Sequence, residues 1–251
     1  MIIKNANTND IFPLRQLWKQ AFGDSDAYLD AFFRTAFSPS RCRCLFLGGR
    51  IAAAHYWLTG SFSGGKVAYI YAVATQEAYR KQGLCKKLME NTHRYLEKRG
   101  YAGAVLVPAT EQLRAYYKKL GYRDFGGMQE RACVAAEEMP EVWEITPEEY
   151  GKRRVELLPE NGVMQGWETL AFLATQGKFY AGDGFICTAV RDGDHIFIPE
   201  LLGTCTNPEG LVGALQAITG TVRTPGETPF AMYLPLTEKE ETPTYFGLAL
   251  D

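Results

Sequence analysis

Between residues 73 and 86 the chain reads Val73-Ala74-Thr75-Gln76-Glu77-Ala78-Tyr79-Arg80-Lys81-Gln82-Gly83-Leu84-Cys85-Lys86. An apolar strand-like run leads into two adjacent cations, a glycine and then a helical pattern. The first N–H groups of a helix have no intrahelical partners and carry the positive end of its dipole. With Arg80 and Lys81 beside them, they form a site suited to a pyrophosphate. Gly83 lets the backbone approach the phosphate, where a side chain would intrude. The plain alternative is an ordinary strand-to-helix turn with exposed cations. The loop is neither GxxxxGK[ST] nor GxGxxG. No GxSxG occurs, and His55, His93 and His195 lack metal-ligand spacing, so no metal is expected.

Several elements must position that loop. Ile2–Ile3 begin an extended segment, and residues 7–10 (Asn-Thr-Asn-Asp) cap a helix with Ile11, Leu14, Leu17, Trp18, Ala21 and Phe22 at helical spacing. Gly23-Asp24-Ser25 breaks it before a second helix carrying Tyr28, Leu29, Phe32, Phe33 and Phe37. Three strand-like runs follow, Cys42–Leu47, Ile51–Leu58 and Val67–Ala74, separated by turn residues. The segment from Gly83 to Arg99 is helical, Ala104–Val107 is a short strand, Leu113–Leu120 a helix and Met128–Ala135 a final strand. Residues 1–137 thus read βααβββαβαβ.

The stretch Ala136–Val142 is acidic and contains Pro140, which marks a boundary and predicts two domains, 1–137 and 138–251. Beyond it, Val142–Ile145 reads as a strand and Thr146-Pro147-Glu148-Glu149 as a capped helix start. Phe185–Val190 and Ile196–Leu202 form a hairpin about Asp192-Gly193-Asp194. A helix with Leu211, Leu215 and Ile218 stops at Gly220, and Phe230–Leu234 and Tyr245–Leu250 are late strands. Placing Gly83-Leu84 on Gly210-Leu211 puts Leu88 on Leu215 and, without a gap, Ala104 on Ala231 and Pro108 on Pro235. That register suggests a tandem duplication.

The 251 residues carry a net charge of −2 that hides a polarised chain. Residues 1–137 hold 20 Lys and Arg against 11 Asp and Glu, a net +9; residues 138–251 hold 7 against 18, a net −11. Either the two surfaces attract each other or the basic half binds an anion and the acidic half attracts a cation. A 46% hydrophobic composition excludes a disordered chain. No run approaches the ~20 apolar residues of a membrane helix, and no secretory signal is visible. Six scattered cysteines without a CxxC pair fit a reducing, cytoplasmic setting. Basic residues lack an interleaved aromatic platform, so no nucleic acid partner is expected.

The Arg80-x-x-Gly83-x-Cys85 pattern after Val73-Ala74-Thr75 resembles the acetyl-CoA signature of the GNAT N-acetyltransferase superfamily, R/Q-x-x-G-x-G/A. The element order of residues 1–137 matches that fold as well. The resemblance implies an α/β class with a mixed sheet, in two tandem GNAT-like domains of which the second is degenerate. It implies that the backbone of Tyr71, Ala72 and Val73 bonds the pantetheine arm, and that Arg80, Lys81, Gln82, Gly83, Leu84, Cys85 and Lys86 cradle the pyrophosphate. Cys85 departs from the family's Gly or Ala, and reads more simply as a small buried side chain than as a redox group.

Tyr116-Tyr117-Lys118-Lys119-Leu120-Gly121-Tyr122 resembles the family's Y-x-x-x-G-F helix ending. By that resemblance Tyr117 protonates the departing CoA thiolate, a task a neutral phenol can perform. Thr110 stands where the family often has asparagine. The implied reaction is direct attack of a primary amine of a small molecule or peptide on the thioester of acetyl-CoA, with a backbone N–H near Val73 holding the oxyanion. The base stays open among Tyr69, Tyr71 and His55. Under the gap-free register Arg80 falls on Asn207, Lys81 on Pro208 and Gln82 on Glu209, so the second half is expected not to bind CoA. Its carboxylates would instead favour a cationic acceptor. The rival is an acyl-CoA-binding sensor without turnover.

Overall fold

The computed structural model describes residues 1–238 and 241–250. The elements in the first part of the chain are β1 (Ile2–Asn5), α1 (Ile11–Phe22), α2 (Asp26–Thr35), β2 (Cys42–Leu47), β3 (Arg50–Phe62), β4 (Gly65–Thr75), α3 (Leu84–Glu97), β5 (Gly103–Leu106), α4 (Glu111–Lys118) and β6 (Arg123–Val134). This is the order read from the sequence. Next come β7 (Val142–Ile145), α5 (Pro147–Leu157), β8 (Met164–Gln165), α6 (Trp167–Leu173), β9 (Lys178–Gly182) and β10 (Phe185–Asp192). The chain continues through β11 (His195–Gly203), α7 (Pro208–Ala214), β12 (Thr219–Pro225) and β13 (Thr228–Pro235).

The chain forms two compact units, but a single cut at 137/138 does not separate them. One unit is Met1–Arg123 with Met232–Thr242; the other is Asp124–Ala231 with the tail from Pro243. The reason lies in strand pairing. In the first unit β1, β2, β3 and β4 are antiparallel neighbours, and β5 lies parallel to β4. The sixth place is taken by Met232–Pro235 of β13, antiparallel to β5. In the second unit β7, β9, β10 and β11 are antiparallel neighbours and β12 lies parallel to β11. Its sixth place is taken by β6, antiparallel to β12. Each sheet therefore has one topology, and each sixth strand comes from the other half of the sequence.

Topology also corrects the gap-free register. The strand that follows α7 and runs parallel to β11 is β12, so β12 and not Phe230–Leu234 is the counterpart of β5. Helix α7 has 7 residues against 14 in α3, which shortens the second copy. Gly220 is not a helix stop. It lies within β12, opposite Cys133, where an added Cβ would come within 2.6 Å of Val212 Cγ2 on α7. Ile218, expected on a buried helix face, is 59% exposed. Residues 245–250 form no strand. They lie in the second unit's core as an irregular tail, with Val163 N–H donating to Tyr245 O at 2.8 Å.

In the first unit the two sheet faces are covered by different helices. Side chains on a strand alternate, so Tyr56 and Trp57 point oppositely. Tyr56 meets Trp18 of α1 and Phe32 of α2, with ring centroids at 5.0 and 5.3 Å. Trp57 packs with Ala68, Ile70, Met89 and Leu96, the last two on α3. The second unit's core joins Cys187, Ile196, Ile198 and Leu201 of its sheet to Leu211 and Val212 of α7. Its buried polar centre is Arg154, whose Nε and Nη2 donate to Glu200 at 2.7 and 2.9 Å, with Tyr150 and Tyr245 hydroxyls completing the carboxylate's shell. All six cysteines are free thiols. Among the described residues no helix is long and apolar enough to cross a membrane.

Candidate active site

The pantetheine-binding stretch anticipated from the sequence is where β4 departs from regular geometry. Tyr56 pairs with Tyr71 and Ala54 with Ala74, so Ala72 and Val73 together oppose His55 alone. This is a β-bulge, which bends a strand and frees backbone groups from the ladder. Ala72 has φ 48°, in the left-handed region that an alanine seldom adopts. On the other side, β4 pairs with β5 only from Val67 to Tyr69, although β4 continues to Thr75. Past Tyr69 the two parallel strands part, and the bulge lies on the open side of that fork.

The cationic loop closes the same end of β4. After a 3-10 turn at Glu77–Tyr79, Arg80 Nε donates to Thr75 O at 3.2 Å, tying the loop back to its strand. Lys81 and Gly83 both take left-handed conformations, with φ 61° and 74°. Gly83 caps α3 without a side-chain hydrogen bond, which leaves the first N–H groups of the helix to face the loop. Arg80, Lys81, Gln82 and Lys86 are exposed around it. Leu84 anchors the turn in a small core with Leu45, Ala52, Ala53 and Leu88.

One cluster gathers residues from three of these segments. Val73 of the bulge, Cys85 of α3 and Tyr116 of α4 pack against the core that contains Tyr117. Tyr117 is 7% exposed, its ring edge-on to Tyr122 at 5.7 Å. Burial pushes its phenol well above the usual range, so it stays protonated at neutral pH. Burial also pushes the Cys85 thiol up, which suits an inert side chain. Thr110, at the position often held by asparagine, is the N-cap of α4, its hydroxyl accepting from Leu113 N–H at 3.2 Å.

The open question of the base narrows. His55 is fully buried, and Thr92 Oγ1, which donates to Leu88 O, lies 2.7 Å from its Nε2. Thr92 has one proton to give, so Nε2–H donates to it and Nδ1 carries the lone pair. That Nδ1 is buried without a partner, and burial holds the imidazole down at about 3. Tyr69 is 3% exposed. Tyr71 presents its hydroxyl to Tyr28 at 2.6 Å, and burial raises it well above the usual phenol range. Neither His55 nor Tyr71 is tuned to take a proton near neutrality.

Tyr71 also identifies a second face of the site that spacing did not reveal. Its ring lies 5.6 Å from Trp18, whose indole N–H donates to Asp24 Oδ2 at 2.7 Å. Asp24 and Tyr28 had been read only as parts of a helix break and an apolar face. Their neighbours Asp26 and Asp30 pair with Arg15, and Asp26 also with Lys19, whereas Asp24 has no cationic partner among the described residues.

A family model described as an acetyltransferase (GNAT) domain matches residues 2–124. Among solved structures, the chain is similar to a GCN5-related N-acetyltransferase from Anabaena variabilis, with a TM-score of 0.73 at 16% identity, covering 94% of this chain and 73% of that one. One from Kribbella flavida gives 0.71 at 15% identity, covering 92% and 70%. Another from Sphaerobacter thermophilus gives 0.58 at 13%, covering 97% and 98%. No curated protein matches the sequence. At these identities the likeness is one of fold over both units, while the family model speaks for the first. Over residues 2–124, just under half of its length, the chain matches the acetyltransferase (GNAT) domain family.

Proposed function

We propose that the first unit transfers the acetyl group of acetyl-CoA to a primary amine of a small molecule or peptide, by direct attack on the thioester. The observation that carries this reading is the coincidence of three features at one end of β4: the bulge at Ala72 and Val73, the fork between β4 and β5, and the uncapped start of α3. The pantetheine amides would bond the backbone of Tyr71, Ala72 and Val73. The pyrophosphate would rest on the N–H groups of residues 83–86 with Arg80, Lys81 and Gln82 around it. As the amine attacks, a backbone N–H of the bulge would hold the developing oxyanion. Tyr117, protonated because it is buried, would return a proton to the sulfur. The acceptor would enter beside Tyr71, Tyr28 and Asp24, where a carboxylate with no ion pair among the described residues favours a cationic amine.

The second unit is proposed to bind no CoA. Asn207, the N-cap of α7, already accepts Gly210 N–H at 2.8 Å, and Pro208 removes another donor. Charge reversal, Arg80→Glu, is expected to abolish acetyl-CoA binding in calorimetry, while Asn207→Arg creates no second site. Tight binding by the Arg80 variant would overturn the assignment. One observation favours the sensor alternative: His55 and Tyr71 are both poor bases. Thiol release over a panel of amines separates the two, since a sensor binds acetyl-CoA without releasing CoA.

A further inference from the structure

On the α1 side of its sheet the first unit holds a hollow of about 680 Å³, to which acetyl transfer gives no task. Its size is that of a small-molecule site. One wall is a single face of α1, where Asp10, Pro13, Leu17 and Gln20 recur at helical spacing. The opposite wall is the turn between β2 and β3, which brings in Phe46 and Arg50. Gly48 and Gly49, at φ 55° and 80°, make that turn tight. Gln76 and Tyr79, from the segment after β4, form a third side. Leu17 and Ile51 make an apolar floor, 3% and 4% exposed.

The polar groups on these walls are held in place but not used up. Gln76 is fixed twice to β3, its backbone N–H donating to Ala52 O at 2.9 Å and its Nε2 to Ile51 O at 2.7 Å. That leaves Gln76 Oε1 as an acceptor. Asp10 Oδ2 accepts from the Asn7 backbone N–H at 2.9 Å and from Asn7 Nδ2 at 2.6 Å, while Oδ1 has no partner among the described residues. The side chains of Arg50, Gln16 and Gln20 form no hydrogen bond or ion pair among the described residues. Asp10 and Arg50 thus place opposite charges on one hollow without pairing with each other. A purely anionic ligand would be repelled by Asp10 and a purely cationic one by Arg50. A molecule that carries both charges satisfies both.

We propose that the hollow between α1 and the β2–β3 turn binds a small zwitterion with an apolar side chain, an α-amino acid or a dipeptide. Arg50 offers the ligand's carboxylate paired N–H donors. Asp10 Oδ1 and the carboxamide oxygens take its ammonium protons, and the carboxamide N–H groups of Gln16 and Gln20 serve its remaining acceptors. The apolar side chain lies on Leu17 and Ile51, beside Phe46. The site is distinct from the acceptor end of β4, since Tyr71 and Thr75 are four residues apart on that strand, about 13 Å. It does not depend on acetyl transfer by the first unit.

Calorimetry on the full chain without acetyl-CoA tests the site. The probes are L-leucine and L-alanyl-L-leucine, with N-acetyl-L-leucine, which lacks the ammonium, and isoamylamine, which lacks the carboxylate. The parent is expected to bind a zwitterion at least tenfold more tightly than either control. Asp10→Asn keeps an oxygen for Asn7 and is expected to erase the preference over N-acetyl-L-leucine; Arg50→Gln is expected to erase that over isoamylamine. A merely structural role would move neither preference. Gln20→Trp fills the hollow and is expected to abolish binding, with circular dichroism unchanged. Arg80→Glu, aimed at the acetyl-CoA loop, is expected to keep binding within twofold. Tighter binding of the dipeptide identifies it as the ligand class; equal or tighter binding of leucine identifies the free amino acid. No saturable binding by the parent at millimolar concentration overturns the proposal. So do equal affinities for zwitterions and controls, or loss of leucine binding when CoA is saturating, which would make the hollow part of the acetyl-CoA site.

Discussion

Tyr117 and His55 show how burial, the leading cause in each, assigns opposite capacities to two polar side chains of the first unit. Tyr117 is held protonated and can donate; His55 is held neutral and can accept little. Tyr117→Phe removes the hydroxyl and keeps the ring packing, so kcat is expected to fall by about 10²-fold or more with acetyl-CoA affinity unchanged, as stopped-flow thiol release and calorimetry will show. An equal fall in affinity would make Tyr117 a packing residue instead. His55 governs a different property. Its folded value of about 3 lies below the ordinary 6.5, so the unfolded chain binds a proton that the folded chain refuses. The stability this confers is full above pH 6.5 and is lost as the pH falls toward the folded value. Between pH 7 and 5 the loss is on the order of 2 kcal/mol. Urea unfolding at the two pH values measures it; His93, held down at about 4 by burial, adds a similar loss, so His55→Gln reduces the dependence by about half. Arg80 and Gly83 could be proposed from sequence because the chemistry of a strand-loop-helix corner is local. Asp24 and Tyr28 were not, because their relation to Tyr71 arises from α1 and α2 folding across a sheet.

At the scale of elements, the β4–α3–β5 crossover recurs as β11–α7–β12, with the helix halved. Gly220 makes the shorter version fit, since any Cβ there would press on Val212 and Ile196. Gly220→Val is expected to destabilise the chain by roughly 1–3 kcal/mol through overpacking, read as a lower urea midpoint. Acetyl-CoA affinity should be unchanged at temperatures where the chain stays folded. Unchanged stability would show that β12 and α7 can separate freely. This glycine also explains why β12 went unseen: a glycine after Leu211, Leu215 and Ile218 has the pattern of a helix stop. The hairpin at Asp192-Gly193-Asp194 and the capped start of α5 were legible because their turn and cap residues lie within a few positions of each other. The tail at 245–250 read as a strand from its apolar residues, yet its backbone bonds go to Val163 and the Gln165 side chain.

Over the whole molecule, the decisive pairing is between residues far apart in sequence. Met232 pairs with Leu106 and Pro235 with Gly103, and the Tyr233 ring occupies space that a Cβ on Gly103 would fill. In the second unit Cys133 of β6 pairs with Gly220. Strand order of this kind leaves no mark in local periodicity, and an acidic, proline-containing stretch near 140 naturally reads as a boundary. Residues 1–137 expressed alone would expose the buried edge of β5 and leave β6 unpaired. Such a fragment is expected to aggregate or to lack a cooperative thermal transition by differential scanning calorimetry, whereas the full chain unfolds cooperatively. A soluble fragment with a sharp transition would show that the late strand is dispensable.

The same pairing has a consequence for how the protein is made. A ribosome that has released residues 1–137 has delivered the entire loop proposed to hold acetyl-CoA, its strand and Tyr117, but not the strand that covers β5. Domains usually fold as they emerge, the first before the second. Here the first sheet waits for nearly a hundred more residues, so the nascent chain carries an open edge from Leu106 until Met232 is made. Closure of that edge is thereby tied to synthesis of Met232–Pro235.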